Sequence, residues 1–144
     1  MKIAVVNGPN LNLLSKRETD IYGKYSLDEI NNMLLDKARV MGVELDFFFS
    51  NTEGEIVSYI QTLFDWDGLI INAAAYTHTS IAIRDAIKAV KIPFVEVHIS
   101  NIFARENFRH TSYLSDIALA VVSGCGAYGY LYALDYLVRV LKQV

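Results

Sequence analysis

The sequence predicts a three-layer, doubly wound α/β domain built on a five-stranded parallel sheet. Three observations predict it. Five short apolar segments alternate along the chain with segments that carry helix-start signals or helical periodicity. Each apolar segment is nearly continuous in hydrophobic residues, as strands are when helices cover both faces of a parallel sheet. The polar residues between elements gather after the strands' carboxyl ends, which is the rim where such sheets bind ligands. With right-handed crossovers the strand order becomes 2-1-3-4-5, the flavodoxin-like arrangement, and residues 1–144 make one domain.

Residues 2–7 (KIAVVN) are the first strand, followed by a long polar loop, GPNLNLLSKRETDIYGKYS, of a length that is usually functional in a compact domain. Ser26 and Glu29 form a capping box, opening a helix to about Met41 that Gly42 ends. Residues 43–49 (VELDFFF) are the second strand. Thr52 and Glu55 read as another capping box, with a helix behind them to about Phe64. Residues 67–72 (DGLIIN) are the third strand. A helix from Ser80 to about Val90 buries Ile83, Ala86, Ile87 and Val90 on one face. PFVEVHI (93–99) and IALAVV (117–122) are the fourth and fifth strands, and a helix from about Tyr128 to Lys142 follows.

Composition narrows the function classes. Net charge is −3, from 13 basic and 16 acidic residues that are interspersed, so no basic stripe matches a phosphate backbone or an anionic membrane. Apolar runs stop well short of a membrane span. The opening segment turns at Gly8-Pro9, too soon for a signal peptide. A hydrophobic fraction of 53% and a mean hydropathy of +0.26 are high for a soluble monomer, which points to apolar surface buried between subunits. The lone Cys125 excludes an intramolecular disulfide and fits a reducing, cytoplasmic setting; between two glycines it reads as a small space-filler.

The residues from 72 to 112 hold all three histidines, several amides and hydroxyls, and three arginines. In the strand Phe94 to Ile99, alternation puts Glu96 and His98 on one face and Val95, Val97 and Ile99 on the other. A carboxylate beside an imidazole at a strand's carboxyl end can hold a general acid or base in one tautomer, or can be a buried pair that only stabilises the sheet. Other signals fail on their context. The glycines of Gly124 to Gly129 match a dinucleotide fingerprint, but too little chain follows for the second strand and acidic residue it needs. GPNLNLL lacks the lysine and hydroxyl of a phosphate loop. Asn7 and Asn72 stand where a receiver domain has acidic residues. His78, His98 and His110 lack the spacing of a zinc site.

Several motifs taken together resemble the type II 3-dehydroquinate dehydratase family. They are GPNLNLL (8–14), Arg17-Glu18 with Tyr22-Gly23, Ser50-Asn51 with Glu53-Gly54, AYTHTS (75–80), IRDA (83–86), EVHISN (96–101) and RENFRHTS (105–112), in order along nearly the whole chain. Ser15-Lys16, Phe49 and Ala73-Ala74 depart from the family pattern, at positions that are not catalytic.

The resemblance implies dehydration of 3-dehydroquinate to 3-dehydroshikimate through an enolate, in the shikimate pathway, with no cofactor and no metal. It assigns Tyr22 as the base, acting as tyrosinate with Arg17 beside it. Shifting a tyrosine from about 10 to about 7 costs roughly 4 kcal/mol, which one cation at about 4 Å can supply at an effective dielectric of about 20. His98 becomes the general acid, oriented by Glu96, and Asn10 stabilises the enolate oxygen through a water. Asn72 and His78 bind substrate hydroxyls and carboxylate, the backbone of Ile99 and Ser100 holds the carboxylate, and Arg109 takes a ring hydroxyl. Standing alone, His78 also admits a loop-capping reading; within AYTHTS ligand contact is favoured. Asp85 reaches a neighbouring subunit's site, Arg105 serves structure or loop closure, and His110 is a surface residue. Residues 15–25 form a lid, and the expected assembly is a dodecamer, a tetramer of trimers. The competing reading is a non-catalytic module that binds a shikimate-type metabolite.

Overall fold

The computed structural model describes residues 1–143. Five parallel strands, β1 (Lys2–Asn7), β2 (Glu44–Phe49), β3 (Gly68–Asn72), β4 (Phe94–His98) and β5 (Ala120–Ser123), form one sheet in the order 2-1-3-4-5. The helices are α1 (Thr19–Tyr22), α2 (Leu27–Met41), α3 (Glu53–Ile60), α4 (Ile81–Val90) and α5 (Tyr128–Lys142). Alternation along the strands divides the core into two layers. Ile3, Val5, Ile70, Val95 and Val97 face α2 and α5, where Leu34, Leu134 and Leu137 meet them. Ala4, Val6, Leu69, Ile71 and Phe94 face α3 and α4, against Ile56, Ile60, Ile83 and Ile87. Among the described residues no helix is long and apolar enough to cross a membrane.

The Ser26–Glu29 capping box forms with both of its hydrogen bonds, and Gly42 closes α2 at φ 70°. Ser80 caps α4 through Ile83 N–H. The second predicted box does not form. Ser50, at the buried end of β2, donates its hydroxyl to Glu55 at 2.6 Å and accepts from Thr52 N–H, so Glu55 is turned away from the helix start. α3 also stops at Ile60 instead of Phe64, where the Thr62 hydroxyl takes the Tyr59 carbonyl and the chain turns.

The expected fifth strand at 117–122 is shorter and starts later, because residues 115–117 form a 3-10 turn tied back to β4 by side-chain hydrogen bonds. The long loop after β1 is not featureless: it holds a 3-10 turn at Leu11–Leu13 and the short α1. Cys125 is exposed, since the turn between Gly124 and Gly126, both at positive φ, leaves its side chain in solvent instead of filling space.

At the switch point of the sheet, where the chain leaves β1 for β2 on one side and β3 lies on the other, Asn7 stands in register with Asn72. Gly8 N–H donates to the Asn72 carbonyl at 2.8 Å. A Cβ on Gly8 would lie 2.4 Å from the Ala73 carbonyl oxygen, so only glycine lets the two loops meet this closely.

Candidate active site

The loops after β1, β3 and β4 converge on one cleft. Its walls include Asn10, Arg17 and Tyr22 from the first loop, Asn72 and His78 from the second, and His98, Ile99, Ser100, Arg105 and Arg109 from the third. Glu96 lies directly beneath, hydrogen-bonded to His98. Of the residues singled out in the sequence, only Asp85 is elsewhere, exposed on α4.

Glu96 has no exposed surface. It sits on the α4 side of the sheet, at the end of the row that begins with buried Phe94. A carboxylate removed from water needs its hydrogen bonds inside the protein. His98 Nε2 donates to Oε2; Ser115 Oγ donates to Oε1 at 2.7 Å, and Ser112 Oγ lies 3.1 Å from both oxygens. Burial pushes the Glu96 carboxyl up, but the hydrogen bond and charge of His98 and the two serine hydroxyls outweigh it and hold the group below its ordinary range. Ser112 also accepts the N–H groups of Leu114 and Ser115, which fixes the turn that presents both hydroxyls. Because an ionised carboxylate only accepts, the Nε2–H of His98 is committed to Glu96 and Nδ1 is left for chemistry in the cleft.

His78 is fixed differently. Its Nδ1 lies 2.8 Å from the Thr111 carbonyl, which can only accept, so Nδ1 carries the proton. Burial is the main cause that lowers its pKa, aided by the charges of His98 and Arg109 and opposed by the Thr111 hydrogen bond. The neutral ring therefore keeps a bare Nε2, an acceptor that suits a ligand hydroxyl and not a carboxylate. The rings of His78 and His98 are stacked with centroids 6.2 Å apart.

Two guanidinium groups flank Tyr22. Arg17 lies 4.3 Å from the ring centroid and Arg105 lies 5.1 Å from it. Arg105 was expected only as a structural or loop-closing residue; it also lines the cleft and donates to Ser100 Oγ at 3.1 Å. His110 is no free surface residue either, since its Nε2 lies 3.0 Å from the Arg105 carbonyl and its ring packs on Phe103. Nothing in the local sequence marks these contacts, because they depend on how residues 99–115 fold back over the sheet. Asn10 adopts a left-handed conformation, φ 71°, and Asn51 Oδ1 accepts its backbone N–H at 2.9 Å. The Tyr76 hydroxyl donates to the Asn51 carbonyl at 2.6 Å, so Asn51 joins the loops after β1 and β3. That gives the Ser50-Asn51 motif a structural purpose.

The cleft thus offers an acid–base candidate pair, a phenol beside two of three arginines, and several amides: a setting for an oxygen-rich anion that gains and loses protons. Among the described residues no group of three or more His, Cys, Asp or Glu side chains is arranged to hold a metal ion.

The sequence profile of the family described as dehydroquinase class II matches residues 1–138. The chain belongs to that family. Among its relatives, the protein of Prochlorococcus marinus (strain NATL1A) named 3-dehydroquinate dehydratase is 54% identical over the full length of both chains. The crystal structure of the type II dehydroquinase from Butyrivibrio crossotus DSM 2876 superposes with a TM-score of 0.93 at 43% identity, covering 96% of this chain and 97% of that one. That of Propionibacterium acnes gives 0.91 at 38% identity, covering 96% of each. The dehydroquinase resemblance seen in the motifs and the flavodoxin-like strand order are both borne out.

The state of Glu96 sets an acid limit on stability. A carboxyl held below its unfolded value of about 4.3 stabilises the fold above that pH, and the contribution is lost as pH falls through the lower folded value. His78, lowered from its ordinary value, acts in the same direction below about 6.5. Glu96→Gln is therefore expected to cost about 1.5–3 kcal/mol at neutral pH and to flatten the acid side of the profile. Urea unfolding midpoints from neutral pH to about pH 3 check this; two parallel profiles would contradict it.

Proposed function

We propose that this chain is a hydro-lyase that removes water from 3-dehydroquinate to give 3-dehydroshikimate, by anti elimination through an enolate, as a step of the shikimate pathway. The observation that carries the reading is the pairing, across one cleft, of a phenol flanked by two guanidinium groups with an imidazole held by a buried carboxylate. The family membership supports the same reaction. A module that only binds a metabolite has no use for a base and an acid held in complementary states.

In this reading Tyr22, as phenolate, takes the proton from the carbon next to the ketone, with Arg17 and Arg105 stabilising the negative charge it carries beforehand. The electron pair moves into the carbonyl and forms an enolate, whose oxygen Asn10 stabilises through a bridging water. Collapse of the enolate expels the tertiary hydroxyl, to which His98 Nδ1 delivers a proton so that water leaves. Glu96 stabilises the imidazolium that makes this delivery. The proton left on Tyr22 returns to His98 through solvent and completes the cycle.

Asn72 and the backbone N–H groups of Ile99 and Ser100 hold the substrate carboxylate. His78 accepts from a ring hydroxyl and Arg109 donates to another. The loop over 15–25 closes on bound substrate and excludes water. No cofactor and no metal takes part, and residues 1–144 act as one catalytic domain in the cytoplasm.

The working assembly is a homo-dodecamer, a tetramer of trimers, in which exposed Asp85 of α4 reaches a neighbour's cleft. Exposed Tyr128, Tyr132 and Tyr136 along one side of α5, with Leu119 and Val121 at the β5 edge, supply apolar surface for subunit contacts. Light scattering of active enzyme should give a mass near twelve chains; a fully active monomer would overturn both the assembly and the role of Asp85.

The reaction is read directly by the rise of enone absorbance when purified protein meets 3-dehydroquinate. Tyr22→Phe is expected to cut kcat by about a thousandfold, roughly 4 kcal/mol of barrier, while a ring-shaped substrate analogue still binds. A variant that keeps more than about a tenth of wild-type turnover, roughly 1.4 kcal/mol, would remove Tyr22 as the base.

A further inference from the structure

Period-two alternation points Asn7 and Asn72 toward α5, at the ends of the apolar rows Ile3–Val5 and Ile70. Two amides at the end of a hydrophobic layer need buried partners. One side chain supplies both. Tyr130 of α5 has no exposed surface; its hydroxyl donates to Asn7 Oδ1 at 2.6 Å and accepts from Asn72 Nδ2 at 2.9 Å. Burial pushes this phenol well above its ordinary range, so it stays a hydroxyl able to play both parts.

The other end of the Asn72 amide is fixed as well, because Oδ1 accepts Ala74 N–H at 3.1 Å. The amide is thus oriented from two sides, with one N–H of Nδ2 left over. Asn72 lines the cleft. We infer that Tyr130 is a positioning residue: from behind the sheet it sets the Asn72 amide so that its free N–H is offered to an oxygen of the bound substrate. The inference rests on the proposed reaction for its kinetic readout. Asn7 completes the chain by accepting the Tyr130 proton, which leaves the tyrosine oxygen's lone pairs to Asn72.

Tyr130→Phe keeps the ring and removes only the hydroxyl. Steady-state kinetics would compare it with Asn72→Ala, the double variant, and Leu137→Ala, a cavity in the same helix beside Gly68 at the far end of β3. All are measured well below each variant's Tm. Tyr130→Phe should raise KM about tenfold and change kcat less than about threefold, as loss of one well-placed hydrogen bond does. The same substitution should have no further effect on KM in the Asn72→Ala background. Leu137→Ala should lower Tm without moving KM.

A KM within about twofold of wild type, less than the loss of one typical hydrogen bond, would overturn the inference. So would an equal effect with and without Asn72. If Asn72→Ala does not fold, the contrast between Tyr130→Phe and Leu137→Ala decides. If the wild type does not turn over 3-dehydroquinate, the proposed reaction fails and this inference is read instead from the side-chain amide resonances of 15N-asparagine-labelled protein. Tyr130→Phe should then shift the Asn72 resonance, and an unmoved resonance would overturn the inference.

Discussion

The burial of one negative charge organises the site. Glu96 lies between Val95 and Val97 and pairs with Ile71 and Val121 on the strands to either side, and leaving its carboxylate unpaired there would cost several kcal/mol. Its partners come from two directions: His98, two residues along the same strand, and Ser112 and Ser115 from the segment that returns to β5. Satisfying the carboxylate therefore does two things at once. It fixes which nitrogen of His98 faces the cleft, and it ties residues 112–115 to the sheet. That tie bounds the whole loop from 99 to 115, on which Arg105, Arg109 and His110 ride.

A second set of constraints works at the switch point. The Asn7–Tyr130–Asn72 chain closes the α5 side of the sheet just as the Glu96 cluster closes the α4 side. Between them, Gly8 lets the β1 and β3 loops touch, and Asn51 joins the same loops from β2. The cleft is thus built on rigid strand ends and crossed by a more exposed segment that carries Arg17 and Tyr22. Such a division suits the proposed elimination, with His98 on the scaffold and Tyr22 on the loop.

The sequence showed most of the frame. Strand order followed from continuous apolar strands, and the Ser26 and Ser80 helix starts from their local residues, because these features depend on neighbours within a few positions. The Glu96–His98 pairing was legible for the same reason, since period two alone puts both on one face. What sequence did not show is long-range. Arg105 meets Tyr22 across 83 positions, and Tyr130 meets Asn7 across 123. The Thr52–Glu55 box was read correctly as a pattern but lost to a competing hydroxyl–carboxylate hydrogen bond from Ser50, only five positions from Glu55. The late start of β5 has the same origin: Ser115 is held by Glu96 before pairing can begin.

The central claim is that an ionised Glu96 commits the Nε2 proton of His98 and leaves Nδ1 to act in the cleft. With three histidines in the chain, two-bond 1H–15N correlation spectra of 15N-histidine-labelled protein at neutral pH read this directly. The account predicts that His98 carries a proton on Nε2, with Nδ1 as the site that gains and loses one, and that Glu96→Gln disturbs this assignment. A His98 protonated on Nδ1 with a bare Nε2 would contradict it.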